Sequence, residues 1–284
     1  MPIARRRRTL TGPPGSRLSA LRAAAGMTVL AGFLATEAAA ARVVSLDQCA
    51  DQYVLALAPR EAIVGLSHRA EDADSHLRDL ARGLPQRRVS AEGILAARPT
   101  LVVRYWGGDA RLDQALSRRG IATVRIDDAA DFDGVRANIL KVAAALDRPE
   151  AGRALIAGMD AKLAASAGAW KGREVLYLTP SGYTAGPGTF IDRILAAAGF
   201  RNAAPPGFTP VPLESVVLGP RRGFVLGFFD QLSAAFERWG MGRHRAVQRR
   251  LPDQTLAAMP ASVLSCPGWF AAEGVEALAR AAPR

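Results

Sequence analysis

Arg42-Val-Val-Ser-Leu-Asp-Gln-Cys-Ala-Asp-Gln-Tyr-Val-Leu-Ala-Leu57 reads as a short apolar strand that turns through a polar corner into a helix. The same unit recurs downstream. Continuously apolar runs predict strands over residues 43–46, 63–66, 101–104 and 122–126, and three- and four-residue apolar spacing predicts helices over 51–57, 91–97 and 112–119. Apolar strands that alternate with helices form a parallel sheet covered on both faces. This first unit closes near Asp127.

Two alanine- and leucine-rich stretches follow, at 132–146 and 150–167. Asp131 and Asp133 offer cap chemistry, and Pro149 sits where a first-turn proline is tolerated. The second stretch would run about 27 Å as a helix, long enough to bridge two lobes. The alternation then resumes, with strands expected over 174–178, 224–228 and 261–264 and helices over 190–198, 214–218, 233–239 and 271–280; residues 240–254 fit neither pattern. The expected fold class is α/β, with two lobes, each a parallel sheet flanked by helices, joined by one long helix. The lobes are expected at 41–130 and 171–284, with connecting helices over 131–170.

Residues 1–40 read as an export signal. Arg5 to Arg8, Arg17 and Arg22 supply a cationic start, residues 23–34 an apolar run too short to span a bilayer, and Ala38-Ala39-Ala40 a cleavage site before Ala41. Arg7-Arg8 lies too far from the apolar run for a typical twin-arginine signal, so general secretion to the periplasm is expected. Six arginines and one glutamate before Ala41 account for +5 of the net +11, leaving +6 on the remainder. That excess is dispersed and lacks the aromatic interleaving of a nucleic-acid surface, so no nucleic-acid partner is expected. Cys49 and Cys266, at opposite ends of the exported part, either form a disulfide or stay as two buried thiols; the oxidising compartment favours the bridge.

Several segments together resemble a known family. They are Arg42-Val-Val-Ser-Leu-Asp47, Ala91-Glu-Gly-Ile-Leu-Ala-Ala-Arg-Pro-Thr-Leu-Val-Val103, Trp106-Gly-Gly-Asp109 with Leu116 to Val124, and Tyr183-Thr-Ala-Gly-Pro-Gly-Thr189 with Ala197-Ala-Gly-Phe-Arg-Asn202. In this order, around a long central helix, the chain is similar to the helical-backbone class of periplasmic substrate-binding proteins that serve ABC importers of vitamin B12, iron–siderophore complexes and haem. The resemblance implies a monomeric receptor that holds a small metal complex or corrinoid between its lobes and passes it to a membrane permease. No cofactor of its own is implied, since any metal arrives within the cargo.

Carried onto this chain, the resemblance places ligand-binding residues at the strand-to-helix corners: Asp47, Gln48, His68, Arg69, Tyr105 and Trp106 in the first lobe, and Tyr183, Phe208, Phe229 with Asp230, and Trp269 with Phe270 in the second. Arg69 and Arg104 are the expected partners for cargo carboxylates or phosphates. Each of these corner residues has an alternative use in the core or in a surface ion pair. Glu92 and Glu214 fall at matching helix starts, where the family presents docking glutamates to its importer; a first-turn acid favoured by the helix dipole would look the same.

Catalytic readings have little support. No Walker loop, Gly-x-Ser-x-Gly elbow or His-Glu-x-x-His occurs, and Gly186-Pro-Gly-Thr189 lacks the third glycine of a dinucleotide loop. Three histidines fall short of a protein-held metal site, so His68 could only touch a metal carried by the cargo. The chain is expected to be a binding protein and not an enzyme. The alternative is an exported two-lobed α/β enzyme, a transferase or a tetrapyrrole- or corrinoid-modifying protein.

Overall fold

The computed structural model describes residues 41–231 and 240–283. The export segment at 1–40 and the helix expected over 233–239 lie outside the described residues.

The first lobe runs β1 (Val43–Ser45), α1 (Gln48–Leu57), β2 (Ile63–Ser67), α2 (Arg78–Ala81), β3 (Gln86–Arg87), α3 (Ala91–Ala96), β4 (Leu101–Arg104), α4 (Ala110–Ser117) and β5 (Ala122–Arg125). Its five strands are all parallel, in the order β3-β2-β1-β4-β5. The chain then passes through α5 (Phe132–Ala145) and α6 (Pro149–Ser166). The Asp131 carboxylate caps α5 by accepting from Gly134 N at 2.8 Å, and Pro149 occupies the first turn of α6.

The second lobe contains β6 (Glu174–Leu178), β7 (Tyr183–Ala185), α7 (Phe190–Ala197), β8 (Arg201–Asn202), β9 (Phe208–Pro210), α8 (Leu213–Val217), β10 (Phe224–Gly227), α9 (Arg245–Arg250), β11 (Thr255–Met259), α10 (Ala261–Leu264) and α11 (Ala271–Arg280). A parallel sheet takes the order β11-β10-β6-β8, and β7 pairs antiparallel with β9 as a small flap. One expected element is corrected. Residues 261–264 form a helix, because Pro260 starts a turn there and the Asp230 carboxylate accepts from Ala261 N at 3.0 and 3.1 Å; the last strand is instead the half-exposed 255–259.

One hydrophobic core runs through both lobes, from Val43 and Tyr53 to Trp170, Tyr177 and Leu278. Helix contacts carry it across: α1 packs on α5, α5 on α6, α6 on α11 and α11 on α7. Smaller clusters lie on the outer faces, with Leu46, Ile94 and Leu116 under α3 and α4, and Leu178, Val216 and Val247 under α8 and α9.

Where the lobes meet, the contacts are dense. Cys49 in α1 is disulfide-bonded to Cys266, just after α10. Around that bond Tyr53 meets Trp269 edge-on at 5.2 Å, the Tyr53 hydroxyl donates to Pro267 O at 3.2 Å, and His76 stacks on Phe270 at 4.5 Å. Phe132 of α5 meets Phe190 of α7 at 5.1 Å. The disulfide closes a loop of 217 residues, which in the chain-entropy account stabilises the folded state by roughly 5 kcal/mol. Cys49→Ser should therefore lower the melting temperature by several degrees under oxidising conditions, and reductant should lower the wild type alike; an unchanged melt contradicts the assignment.

His76 adds a pH dependence. Burial holds its imidazole below the ordinary value of 6.5; nearby Lys162 pushes the same way and Glu273, 3.7 Å from Nε2, opposes. The unfolded chain thus takes up this proton first as pH falls through 6.5, and stability is lost. The buried Asp51 carboxyl, raised to about 6 chiefly by desolvation, has the opposite slope and loses its contribution as pH rises through that value. The comparison that isolates the histidine is with His76→Leu: between about pH 7 and about pH 5 the wild type should lose more stability than this variant in urea melts, and parallel profiles would contradict the burial of a neutral imidazole.

Candidate functional site

Open parallel sheets leave a crevice at the carboxyl ends of their strands, deepest where the strand order reverses. In the first sheet that point lies between β1 and β4, and in the second between β6 and β10. Loops at these strand ends, and the loop after β2, build the site. A pocket of about 470 Å³ is lined by Arg69, Asp72, Ala73 and Asp74 after β2, Thr179 and Ser181 after β6, and Phe228 and Gln231 after β10. It is therefore made by both lobes. A second pocket of about 600 Å³ covers the first lobe's strand ends, lined by His68, Arg88, Val89, Trp106, Gly107 and Gly108.

Asp47 sets the shape of the first switch point. One carboxylate oxygen accepts from Ala50 N at 2.9 Å and caps α1; the other accepts from Tyr105 N at 2.7 Å and Gly107 N at 3.0 Å, tying the β4 corner to the β1 corner. Gly107 is needed because a Cβ there would stand 2.7 Å from Leu46 O. With three N–H donors around it and 2% exposure, Asp47 holds the two corners together and presents little surface to the cleft. Gln48 is likewise buried, and its Nε2 has no hydrogen-bond partner among the described residues.

Other expected site residues divide in the same way. His68 and Trp106 meet at the first-lobe pocket, and Trp106 is 57% exposed. Tyr183 on β7, 48% exposed, is held beside the shared pocket by Thr179, whose Oγ1 accepts from Tyr183 N at 3.0 Å; Phe208 on β9 stands exposed across the flap. Arg69 lines the shared pocket, but its fork already bonds Asp72 at 2.9 Å and Asp74 at 3.2 Å. The Tyr105 hydroxyl donates to Asp128 at 2.7 Å, and burial with that hydrogen bond raises the phenol well above its usual range, so it stays protonated.

Three of the expected sites have their side chains engaged elsewhere. Trp269 and Phe270 belong to the core between the lobes, where they pack on Tyr53 and His76. Phe229 packs on the outer core of the second lobe, and Asp230 is spent on Ala261 N. Arg104 turns away from the cleft to pair with Asp113 and to donate to Gly108 O at 3.2 Å, and it lines an outer pocket at the β5 edge.

The sequence expectation missed Phe228, which lines the shared pocket with a φ of 65°. A left-handed conformation is costly for a bulky side chain, and such strain concentrates at binding sites. Next to Phe229 in an apolar strand end, nothing in the sequence marks it out. Glu92 and Glu214 lie exposed in the first turns of α3 and α8, as expected for both the docking and the dipole reading. Among the described residues no group of three or more His, Cys, Asp or Glu could hold a metal ion, and no helix is long and apolar enough to cross a membrane.

A family model described as periplasmic binding protein matches residues 43–215. Among solved structures, the periplasmic heme-binding protein RhuT from Roseiflexus sp. RS-1 in its apo form is 25% identical, with 86% of this chain and 100% of that chain covered and a TM-score of 0.63. The periplasmic heme-binding protein BhuT, solved with two hemes, is 25% identical over 85% of this chain and 99% of that one, at a TM-score of 0.62. The vitamin B12-binding protein BtuF of Vibrio cholerae shares the fold at 19% identity, with 85% of this chain and 97% of that chain covered and a TM-score of 0.56. A search of curated protein sequences returns no match.

Asp47→Ala removes the acceptor for three backbone donors, two of them from the β4 corner, and should destabilise the protein by roughly 3 kcal/mol in urea melts. A melt unchanged by the substitution would return Asp47 to the cargo surface.

Proposed function

This chain belongs to the periplasmic binding protein family, and from that membership we propose that it captures a bulky metal complex of the haem, cobalamin or ferric-siderophore class between its lobes and hands it to the permease of an ABC importer. The observation that carries the proposal is the pocket built jointly by both lobes, from the loop after β2 and the switch-point loops after β6 and β10. Trp106 in the first-lobe pocket and Tyr183 on the flap are exposed aromatic faces on which flat conjugated cargo could stack. His68, beside Trp106, is the imidazole placed to reach a metal carried by that cargo. The heme-binding structures at 25% identity make haem the first cargo to try.

Delivery requires a defined orientation on the permease. Glu92 and Glu214, one exposed first-turn glutamate on each lobe, are the proposed docking pair, and charges so placed steer encounter and fix register more than they add affinity. The N-terminal segment is the proposed export signal that brings the chain to the periplasm.

The test is to titrate the protein with haemin, cyanocobalamin and a ferric siderophore, following tryptophan quenching and the cargo's visible absorption, and to recover the cargo afterwards. One of the three should bind stoichiometrically and return unchanged, and Trp106→Ala should weaken it at least about tenfold. Glu92→Arg with Glu214→Arg should leave that affinity intact while abolishing uptake. Chemical conversion of the cargo would favour the enzyme alternative, and failure of all three to bind would refute the assigned cargo class.

A further inference from the structure

The second lobe carries an unusual knob on its outer face. Its two segments are Leu218-Gly-Pro-Arg-Arg222, which follows α8, and Arg245-Ala-Val-Gln-Arg-Arg250, which is α9. One small core holds them together: Val216, Val247 and Leu251 are buried side by side, and Arg250 donates from Nη2 to Gly219 O at 3.0 Å. Neither 215–229 nor 240–252 contains a carboxylate; Glu214 and Asp230 border the first stretch, and Glu237 and Asp253 the second.

Five arginines fall in these two segments, and Arg221, Arg222, Arg245, Arg249 and Arg250 take part in none of the ion pairs of the described residues. Among these cations stands Leu218, 80% exposed, the most exposed large apolar side chain of the described residues.

We propose that this knob binds a bilayer surface bearing anionic phospholipid headgroups. Guanidinium forks match phosphate oxygens in pairs, and several arginines beside a membrane add their attraction. One protruding leucine amid them can enter the boundary between headgroups and acyl chains, as interfacial anchors do. A protein partner fits less well. A stable protein interface needs roughly 800 Å² per side with an apolar, tightly packed centre, and here a single apolar side chain is ringed by charge. The contact would hold a diffusing receptor near its membrane, with α8 and its Glu214 beside the surface.

The test is co-sedimentation of the full chain with phosphatidylcholine vesicles and with vesicles that also contain phosphatidylglycerol, at low and high salt. The comparison is with Arg221→Ser, Arg222→Ser and Arg249→Ser combined, and separately with Leu218→Ser. All proteins carry the same N-terminal segment, so differences report the knob, and thermal melts confirm folding. Wild type should prefer the anionic vesicles at least about tenfold at low salt, the triple variant should lose at least about tenfold of that binding, and Leu218→Ser should lose the part that persists at high salt. Equal binding of wild type and triple variant would overturn the proposal. So would a triple variant that keeps vesicle binding but loses capture by the detergent-solubilised permease, which would assign the knob to a protein.

Discussion

The contact between the lobes constrains everything else in this molecule. A disulfide, two aromatic pairs and a hydrogen bond from Tyr53 join α1 and the loop after β2 to the segment between α10 and α11, and the hydrophobic core passes through the junction without a break. Spreading the lobes would expose Tyr53, Trp269 and Phe270, each now less than a tenth exposed. Interfaces that are large and apolar resist domain motion, and packed helices such as α5 and α6 resist bending. The cleft is therefore already formed before cargo arrives, and a preformed site spares the ordering cost of closure.

On that frame the two switch points divide labour between charge and surface. Acids at the corners face inward and hold backbone: Asp47 binds the β4 corner to α1, and Asp230 binds the start of α10. Arg69, Asp72 and Asp74 similarly satisfy one another, with Ser265 Oγ of the second lobe 3.2 Å from Asp74. What remains open is largely flat and aromatic. Phe228 lines the shared pocket and Trp106 the first-lobe pocket, while Tyr183 and Phe208 stand exposed on the β7–β9 flap; the shared pocket itself exists only because both sheets are fixed with respect to each other. The rigidity of the junction and the composition of the cleft are two consequences of one packing arrangement.

Much of the fold was legible in the sequence for a simple reason. Buried parallel strands such as Val43–Ser45 and Leu101–Arg104 are apolar on both faces, and the helices between them carry caps, as Asp131 and Thr189 do. The strand at Thr255–Met259 escaped because it is half exposed and contains two alanines, while the apolar Ala261–Leu264 drew the assignment although it follows Pro260. Corner positions could be located, but the direction of a side chain at a corner depends on neighbours far away in the chain. Asp47 turns inward because Tyr105 and Gly107 need an acceptor, and Trp269 because Tyr53 lies opposite; neither partner is visible at its local spacing. The sequence left Cys49 and Cys266 open between a bridge and two buried thiols, with the expected oxidising compartment favouring the bridge, and the structure joins them.

A pair of spin labels, one on the exposed face of α4 in the first lobe and one on α7 in the second, reports the separation of the lobes directly. Measured with and without haemin, or whichever cargo binds, the distance distribution should stay narrow and shift by no more than about 2 Å, since packed interfaces slide little. A broad distribution without cargo that narrows and moves by many ångströms on binding would contradict a cleft held ready by the junction between the lobes.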